Sequence, residues 1–531
     1  MSKKWITRAV AAVMIALILL FAIFRCSSYS GPDGGGTVSA NNALATEAGT
    51  KVLRDGGNAV DAAVAVSYAL GVVEPFASGI GGSGVMVVYN PKKNIKKVYD
   101  YKGISSFANL KSKDSIAVPG FVKGLETAHI ELGEKPMDEL IAPAIKYAEK
   151  GFKADKFLTD RLTIQKKEFH GLPKSFYPNG KPLKPGQLVK QQDLAKTMKL
   201  IQKNGSDAVY GGEIGKKIAE RADAVTEDDF KKYTVKKSEP VEGKFGNYHI
   251  LTSPPPTGGV TLLEILKMAE LYKGEFKENQ VTNYVHLIGE ITKQAYKDRI
   301  QQIGDPAFTE ADANQMLSSG HIEKQAKNIS FDKVSFDIDV NDTEADKKDY
   351  ENTTHFSIKD SDGTIVSVTN TLGNFFGSGY HTAGIFLNND LTRFSENKNS
   401  PNRIQPGKRP NSYITPAILA SKDETVGIGT PGGKRIPMVI AQALIQHEYF
   451  GKSWQEAIKE RRFYIEGKKL YAEPGYPKNV RDKLEKRGYD IRTKKSPFFY
   501  GGINAVIDDR KNSREYGAAD PRRTGTWSTA N

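Results

Sequence analysis

Asn352-Thr353-Thr354-His355-Phe356-Ser357-Ile358 is the stretch on which the reading of this chain turns. Its mixture of β-branched, aromatic and small polar residues predicts a strand that opens with a hydroxyl residue. The preceding residues, Asp332 to Tyr350, are crowded with Asp and Lys and hold few apolar anchors. They predict an exposed, poorly packed loop that is accessible to cleavage. Taken alone, the strand has ordinary explanations: Thr-Thr suits a pleated sheet, and His355 packs as a hydrogen-bonded imidazole. The surrounding pattern has to decide.

Downstream of Thr353 the grammar is that of short strands and turns: Thr354 to Lys359, the turn Asp362-Gly363, Thr364 to Thr369, then a glycine-rich run from Gly373 to Gly384. The C-terminal third therefore reads as sheet-rich. Upstream, Asn41 to Arg54 has helical spacing and stops against Gly56-Gly57, and Asn58 caps a second apolar helix from Ala59 to about Leu70. Ala77-Ser78-Gly79-Ile80-Gly81-Gly82-Ser83-Gly84 feeds the buried strand Val85 to Tyr89. This is not a dinucleotide fingerprint, because there strand precedes glycines and helix follows. Further helices are expected around Gly124 to Ile130, Met137 to Lys150, Gln191 to Lys203, Val260 to Leu271 and Val281 to Ile300.

At the N-terminus, Lys3, Lys4 and Arg8 precede an apolar run from Ala9 to Phe24. That is an export signal or membrane anchor, which predicts an extracytoplasmic protein associated with the cell membrane or wall. Cys26 is the only cysteine, so the exported part holds no disulfide, no cysteine metal site and no cysteine nucleophile. The chain has 531 residues, 39% of them hydrophobic, enough for a large core. Its net charge of +14 and pI near 9.3 favour an anionic partner. No zinc-finger spacing or aromatic-interleaved basic stripe points to nucleic acid, which leaves an acidic polymer or the cell envelope. The eight histidines form no ligand-spaced cluster, and neither metal nor cofactor is expected.

Thr353-Thr354-His355-Phe356, Thr369-Asn370-Thr371-Leu372, Phe386-Leu387-Asn388-Asn389 and Gly429-Thr430-Pro431-Gly432-Gly433 occur in that order. The chain resembles the γ-glutamyltransferase family in these motifs. It does so again in Gly56 to Ala63, Ser78 to Gly82, Val118-Pro119-Gly120 and Gly304-Asp305-Pro306. The resemblance implies an α+β, N-terminal nucleophile hydrolase fold, a four-layer αββα sandwich self-cleaved into two associated subunits. It divides the chain into an anchor (1–26), a linker (27–36), a large subunit (37–352) and a small catalytic subunit (353–531). Cleavage between Asn352 and Thr353 would solve a chemical problem. A threonine hydroxyl is a poor nucleophile without a base, and no Ser-His-Asp arrangement is visible; a freed α-amine, with pKa about 7.7–8.0, supplies that base beside the hydroxyl. The resemblance further implies that Thr371 hydrogen-bonds the Thr353 hydroxyl and that the N–H groups of Gly432 and Gly433 form the oxyanion hole.

The residues expected to hold substrate depart from the glutathione-type pattern. Lys102 stands where an arginine is common, Asn389-Asp390-Leu391-Thr392-Arg393 carries a cation where an acid is expected, and Asn411-Ser412-Tyr413 keeps one serine of a pair. A free ammonium is repelled by such a site, whereas poly-γ-glutamate has its amines tied up in amides and one carboxylate per residue. The pattern is most similar to the capsule-processing subgroup, the CapD-type poly-γ-glutamate transpeptidases. That implies polyglutamate as donor and a peptidoglycan amine or water as acceptor. Lys434, Arg435, Arg522 and Arg523 are candidate polymer contacts or else structural cations. Two other readings stay open here: a glutathione-type transferase or small-amide hydrolase, and a non-enzymatic envelope protein that binds polyanions.

Overall fold

The computed structural model describes residues 35–277, 279–335, 342–344, 346 and 351–530, with the backbone alone for 351 and 352. The expected anchor (1–26), the linker as far as residue 34 and most of the charged stretch before Glu351 lie outside the described residues. Among the described residues, no helix is long and apolar enough to cross a membrane.

Two central sheets face each other. In chain order their strands are β1 (Thr37–Ala40), β2 (Ser83–Asn90), β3 (Ile95–Asp100), β4 (Lys236–Ser238), β5 (Val241–Phe245), β6 (Tyr248–Thr252), β7 (Glu351–Lys359), β8 (Ile365–Asn374), β9 (Ala417–Ala420), β10 (Glu424–Gly429), β11 (Asn504–Asp509), β12 (Arg514–Ala519) and β13 (Thr526–Thr529). The first sheet runs β13-β1-β7-β8-β2-β3-β4 and the second β12-β11-β10-β9-β6-β5, both antiparallel throughout. Strand β2 shows why they stack. Its side chains alternate, so Met86 and Val88 enter one apolar core while Val85 and Val87 enter another.

Helices α1 (Ala43–Arg54), α2 (Ala59–Val73) and α3 (Met137–Lys150) share the first core and close that face. Helices α4 (Gly259–Leu271), α5 (Val281–Gln302), α6 (Ser319–Ala326) and α7 (Ile436–Glu448) share the second. The result is the four-layer αββα sandwich. Helix α2 is apolar on nearly every side because it lies between the first sheet and α1 and α3. A capping box starts it: the Asn58 side chain accepts from the Val60 and Asp61 N–H groups, and Asp61 accepts from the Asn58 N–H.

The sequence expectations for α1 to α5 agree with the structure to within a few residues, whereas α6 and α7 were not expected. The catalytic strands are longer than expected, because β7 begins before Thr353 and β8 continues to Asn374, the two pairing on both sides of a bulge between Thr371 and Gly373. The segments on either side of the Asn352–Thr353 bond do not separate into domains. Each sheet takes strands from both, and β7 is hydrogen-bonded between β1 and β8.

Candidate active site

Thr353 is the third residue of β7, buried, and follows Asn352 in the same strand. Thr371 on β8 is its register partner, one residue before the bulge, and the Thr371 Oγ1 accepts the Gly373 N–H at 2.9 Å. Gly373 adopts φ +94°, and a Cβ there would stand 1.9 Å from the Asn389 Oδ1. Only glycine lets the chain bend at this point while Asn389 accepts the Asn374 N–H at 2.9 Å. The bulge therefore kinks the ladder at the peptide bond expected to break.

A buried polar chain fixes the strand behind Thr353. Asn504 donates to the Asn41 Oδ1 at 2.6 Å and to the His355 carbonyl at 3.1 Å, Asn41 donates to the Thr354 Oγ1 at 3.2 Å, and Thr354 donates to the Glu74 Oε2 at 3.0 Å. Burial pushes the Glu74 carboxyl up to about 7, against the opposing pull of Thr354 and the nearby Arg523. Arg523 donates to the Thr353 carbonyl at 3.4 Å and stacks on Phe498, and burial lowers its guanidinium to about 9. His355 is no base for this site. Its ring is held between the hydroxyls of Thr369 (2.9 Å) and Ser357 (3.1 Å), and burial drives its pKa down to about 3, so it is neutral at ordinary pH.

Across from β7, Gly432 (φ +142°) and Gly433 (φ +57°) turn the chain into a short 3-10 segment, Gly433–Arg435, that runs on into α7. This turn packs against β7. Its N–H groups stand at a helix N-terminus, where partial positive charge accumulates and favours a developing oxyanion.

The expected substrate residues fall into two groups. Lys102, Asp390 and Arg393 converge: Arg393 Nε is 3.6 Å from the Asp390 Oδ1, and both cations oppose the rise that burial imposes on the Asp390 carboxyl. Ser83, from the glycine turn, donates to the Asp390 Oδ2 at 2.8 Å. Lys102 is buried, donates to the Pro410 carbonyl at 3.1 Å and is lowered to about 8 by that burial. Arg393 and Tyr413 line one cavity of about 20 Å³ together with Asp342 and Asp346, from the segment ahead of the scissile bond. Ser412 belongs to the same loop; its Oγ accepts the Ile414 N–H at 3.3 Å and its carbonyl accepts from Arg299 at 2.8 Å. Asn389, with Asn374 and Thr392, lines a larger cavity of about 450 Å³ beside the bulge.

Arg522 lies apart from these. Its guanidinium donates to both Glu473 oxygens at 2.6 Å, to Asp520 at 3.3 Å and to the carbonyls of Ile458 and Glu460. With its donors so engaged it is a structural clamp, which corrects its expected role as a polymer contact. Lys434 is buried and donates to the Glu466 Oε1 at 2.9 Å and the Asp346 carbonyl at 3.0 Å, and Arg435 stacks on Phe499. Both are structural cations.

The gamma-glutamyltranspeptidase family model matches residues 45–530. The chain belongs to the gamma-glutamyltranspeptidase family. It is 42% identical to the capsule biosynthesis protein CapD proenzyme of Bacillus anthracis over 94% of this chain and 91% of that one. It is 35% identical to a glutathione hydrolase proenzyme of Bacillus subtilis strain 168, covering 92% and 90% of the two chains. In fold it is similar to a cephalosporin acylase from Bacillus halodurans, with TM-score 0.85 and 24% identity over 94% of this chain and 98% of the acylase. Membership makes the chain an enzyme of the γ-glutamyl transferase and amidohydrolase class with an N-terminal threonine nucleophile, and it sets aside the non-enzymatic reading.

Several residues of this transpeptidase site escaped the sequence reading. Glu74 left a signal, a single acid in the apolar run Val72-Val73-Glu74-Pro75-Phe76 at the end of α2. Ser83, Asn41 and Asn504 left none, since each meets its partners only through contacts hundreds of residues apart in the chain. Among the described residues, the one group of three metal-ligating side chains is Glu264, Asp298 and His321, considered below.

Proposed function

We propose that this chain is a self-processing γ-glutamyl transpeptidase and hydrolase whose nucleophile is Thr353, acting on poly-γ-glutamate outside the cytoplasm. The observation that carries the assignment is the placement of Thr353, buried opposite Thr371 at the bulge and beside the Gly432-Gly433 turn, with the Asn352–Thr353 bond running through the same strand. In the precursor, the Thr353 Oγ1 adds to the Asn352 carbonyl carbon. The C–N bond breaks, its electron pair takes up a proton to become the Thr353 α-amine, and water hydrolyses the resulting ester to the Asn352 carboxylate. The freed amine then takes the hydroxyl proton during attack on the γ-carbonyl of a donor. The N–H groups of Gly432 and Gly433 stabilise the oxyanion, the γ-glutamyl group rests as an ester on Thr353, and a peptidoglycan amine or water removes it.

For the donor, the capsule biosynthesis name of the 42% identical relative supports polyglutamate, as do the cations Lys102 and Arg393 that flank Asp390, which can pair with the carboxylates of an acidic polymer. Lys102, Asn389, Asp390, Arg393, Ser412 and Tyr413 are the residues assigned to the polymer, and Arg523 is assigned to positioning Thr353 through its carbonyl. The two subunits remain joined because both sheets are shared. The apolar N-terminal segment is assigned to anchoring the protein at the membrane.

Intact mass and N-terminal sequencing of the purified chain test the reading. The expected result is a fragment of roughly 20 kDa that begins Thr353-Thr354-His355, by proportion from 58.4 kDa for the whole chain. An uncut chain that still turns over substrate would remove Thr353 as the nucleophile. Faster release of product from glutathione than from polyglutamate would instead place the chain with its glutathione-hydrolysing relatives.

A further inference from the structure

Helices α4, α5 and α6 bring Glu264, Asp298 and His321 to one point, their ligating atoms all within 4.8 Å of one another. The His321 Nε2 is 2.7 Å from the Asp298 Oδ2 and 4.0 Å from the Glu264 Oε1. Glu264 is fully buried, and its carboxylate oxygens meet no N–H donor; their polar neighbour is the Asp298 carboxyl. Glu290, another buried acid of α5, by contrast takes donors from Lys293, Ser335 and Tyr489. Arg299, next to Asp298, directs its two terminal nitrogens to the carbonyls of Thr257 and Ser412 instead. An apposed, buried pair of carboxylates facing an imidazole is costly unless a cation or a proton lies between them.

We propose that Glu264, Asp298 and His321 bind one divalent transition-metal ion, Zn²⁺ by preference, that staples α4, α5 and α6 together. Zn–N and Zn–O bonds of about 2.0–2.2 Å place tetrahedral ligand atoms about 3.3 Å apart. The separations of 2.7 and 4.0 Å straddle that value, so sub-ångström side-chain shifts complete the site. Gln325, one turn after His321, has its amide nitrogen 3.3 Å from both the His321 Nε2 and the Asp298 Oδ1. Rotating that amide presents its oxygen as a fourth ligand. Gln302 donates to the Asp298 Oδ1 and leaves Oδ2 for the metal. The His321 side chain is 19% exposed, which gives the ion a way in. Ca²⁺ fits poorly, because it requires about six to eight oxygen ligands.

The full-length chain, treated with chelator and freed of it, is titrated with ZnCl₂, MnCl₂ and CaCl₂ by calorimetry, with thermal unfolding followed in parallel. The expected result is one Zn²⁺ per chain with a raised Tm, weaker Mn²⁺ binding and no Ca²⁺ response. E264Q and H321Q, both close in shape to the native residues, are each expected to weaken Zn²⁺ binding about tenfold or more while far-UV circular dichroism is unchanged. Anomalous scattering from zinc-soaked crystals of the unmutated chain locates the ion independently of any variant. Unchanged affinity in both variants, or an anomalous peak elsewhere, overturns the assignment. So does a chain that binds no ion and gains stability with E264Q, which identifies a proton shared by the two carboxyls.

Discussion

Thr353 and Thr371 face each other across one rung of a ladder, and substitutions at each report on different chemistry. Thr353→Ala is expected to leave a folded, full-length precursor without turnover, while Thr353→Cys still processes slowly because a thiol performs the same acyl shift; gel and mass analysis over time separate them. Thr371→Val keeps the shape but removes the hydroxyl that accepts the Gly373 N–H, and processing is expected to slow by about tenfold or more. Glu74 carries the pH dependence of this region. Its folded pKa of about 7 lies above the ordinary 4.5, so the folded chain holds the proton more tightly than the unfolded chain does. The associated stabilisation is complete below pH 4.5 and is lost as pH rises through 7. Glu74→Gln is expected to flatten the decline of Tm between those values, a difference of roughly 3 kcal/mol, and an unchanged slope in the variant would refute the shift.

At the scale of elements, the Gly432-Gly433 turn and helix α2 make separable contributions. A Cβ on Gly432 meets nothing nearer than the Gly501 Cα at 3.5 Å, so Gly432→Ala is limited by backbone conformation rather than by space. At φ +142° it strains the turn by about 1–3 kcal/mol and displaces the N–H groups. Self-cleavage and turnover are expected to fall about 100-fold while the chain stays folded, as read by processing rate and circular dichroism on the same sample. Asn58→Ala breaks a capping box far from that turn in sequence; it is expected to cost about 1 kcal/mol of stability and leave the processing rate unchanged. The caps, glycine stops and apolar periodicity that define α1, α2 and α4 are local, which is why their bounds were legible to within a few residues. The full reach of β7 and β8 was not, because Glu351 and Asn352 become strand only by pairing with Asn374 and Gly373 around the bulge.

For the whole molecule, the two kinds of buried arginine give opposite expectations. Arg522→Leu takes the guanidinium from the partly buried Glu473, while Asp520 keeps Arg462, and is expected to cost roughly 1–3 kcal/mol, with kcat/KM for polyglutamate and for a small γ-glutamyl anilide changed in equal proportion. Arg393→Gln is expected to lower kcat/KM for polyglutamate about tenfold and for the anilide much less; equal losses would make Arg393 structural as well. The sequence by itself determined the nucleophile candidate, the glycine turn, the helices α1 to α5, the strands β2, β7 and β8 and the family resemblance. These reside in contiguous motifs whose chemistry or backbone geometry is local. Only the tertiary structure decided that Arg522, Lys434 and Arg435 are held by internal partners, that His355 is neutral, and that Glu74, Asn41 and Asn504 stand behind Thr353. It alone gathered Glu264, Asp298 and His321 from three helices. A charge written in a sequence has no environment until the layers close over it, and it is burial and partners that divide a binding cation from a structural one.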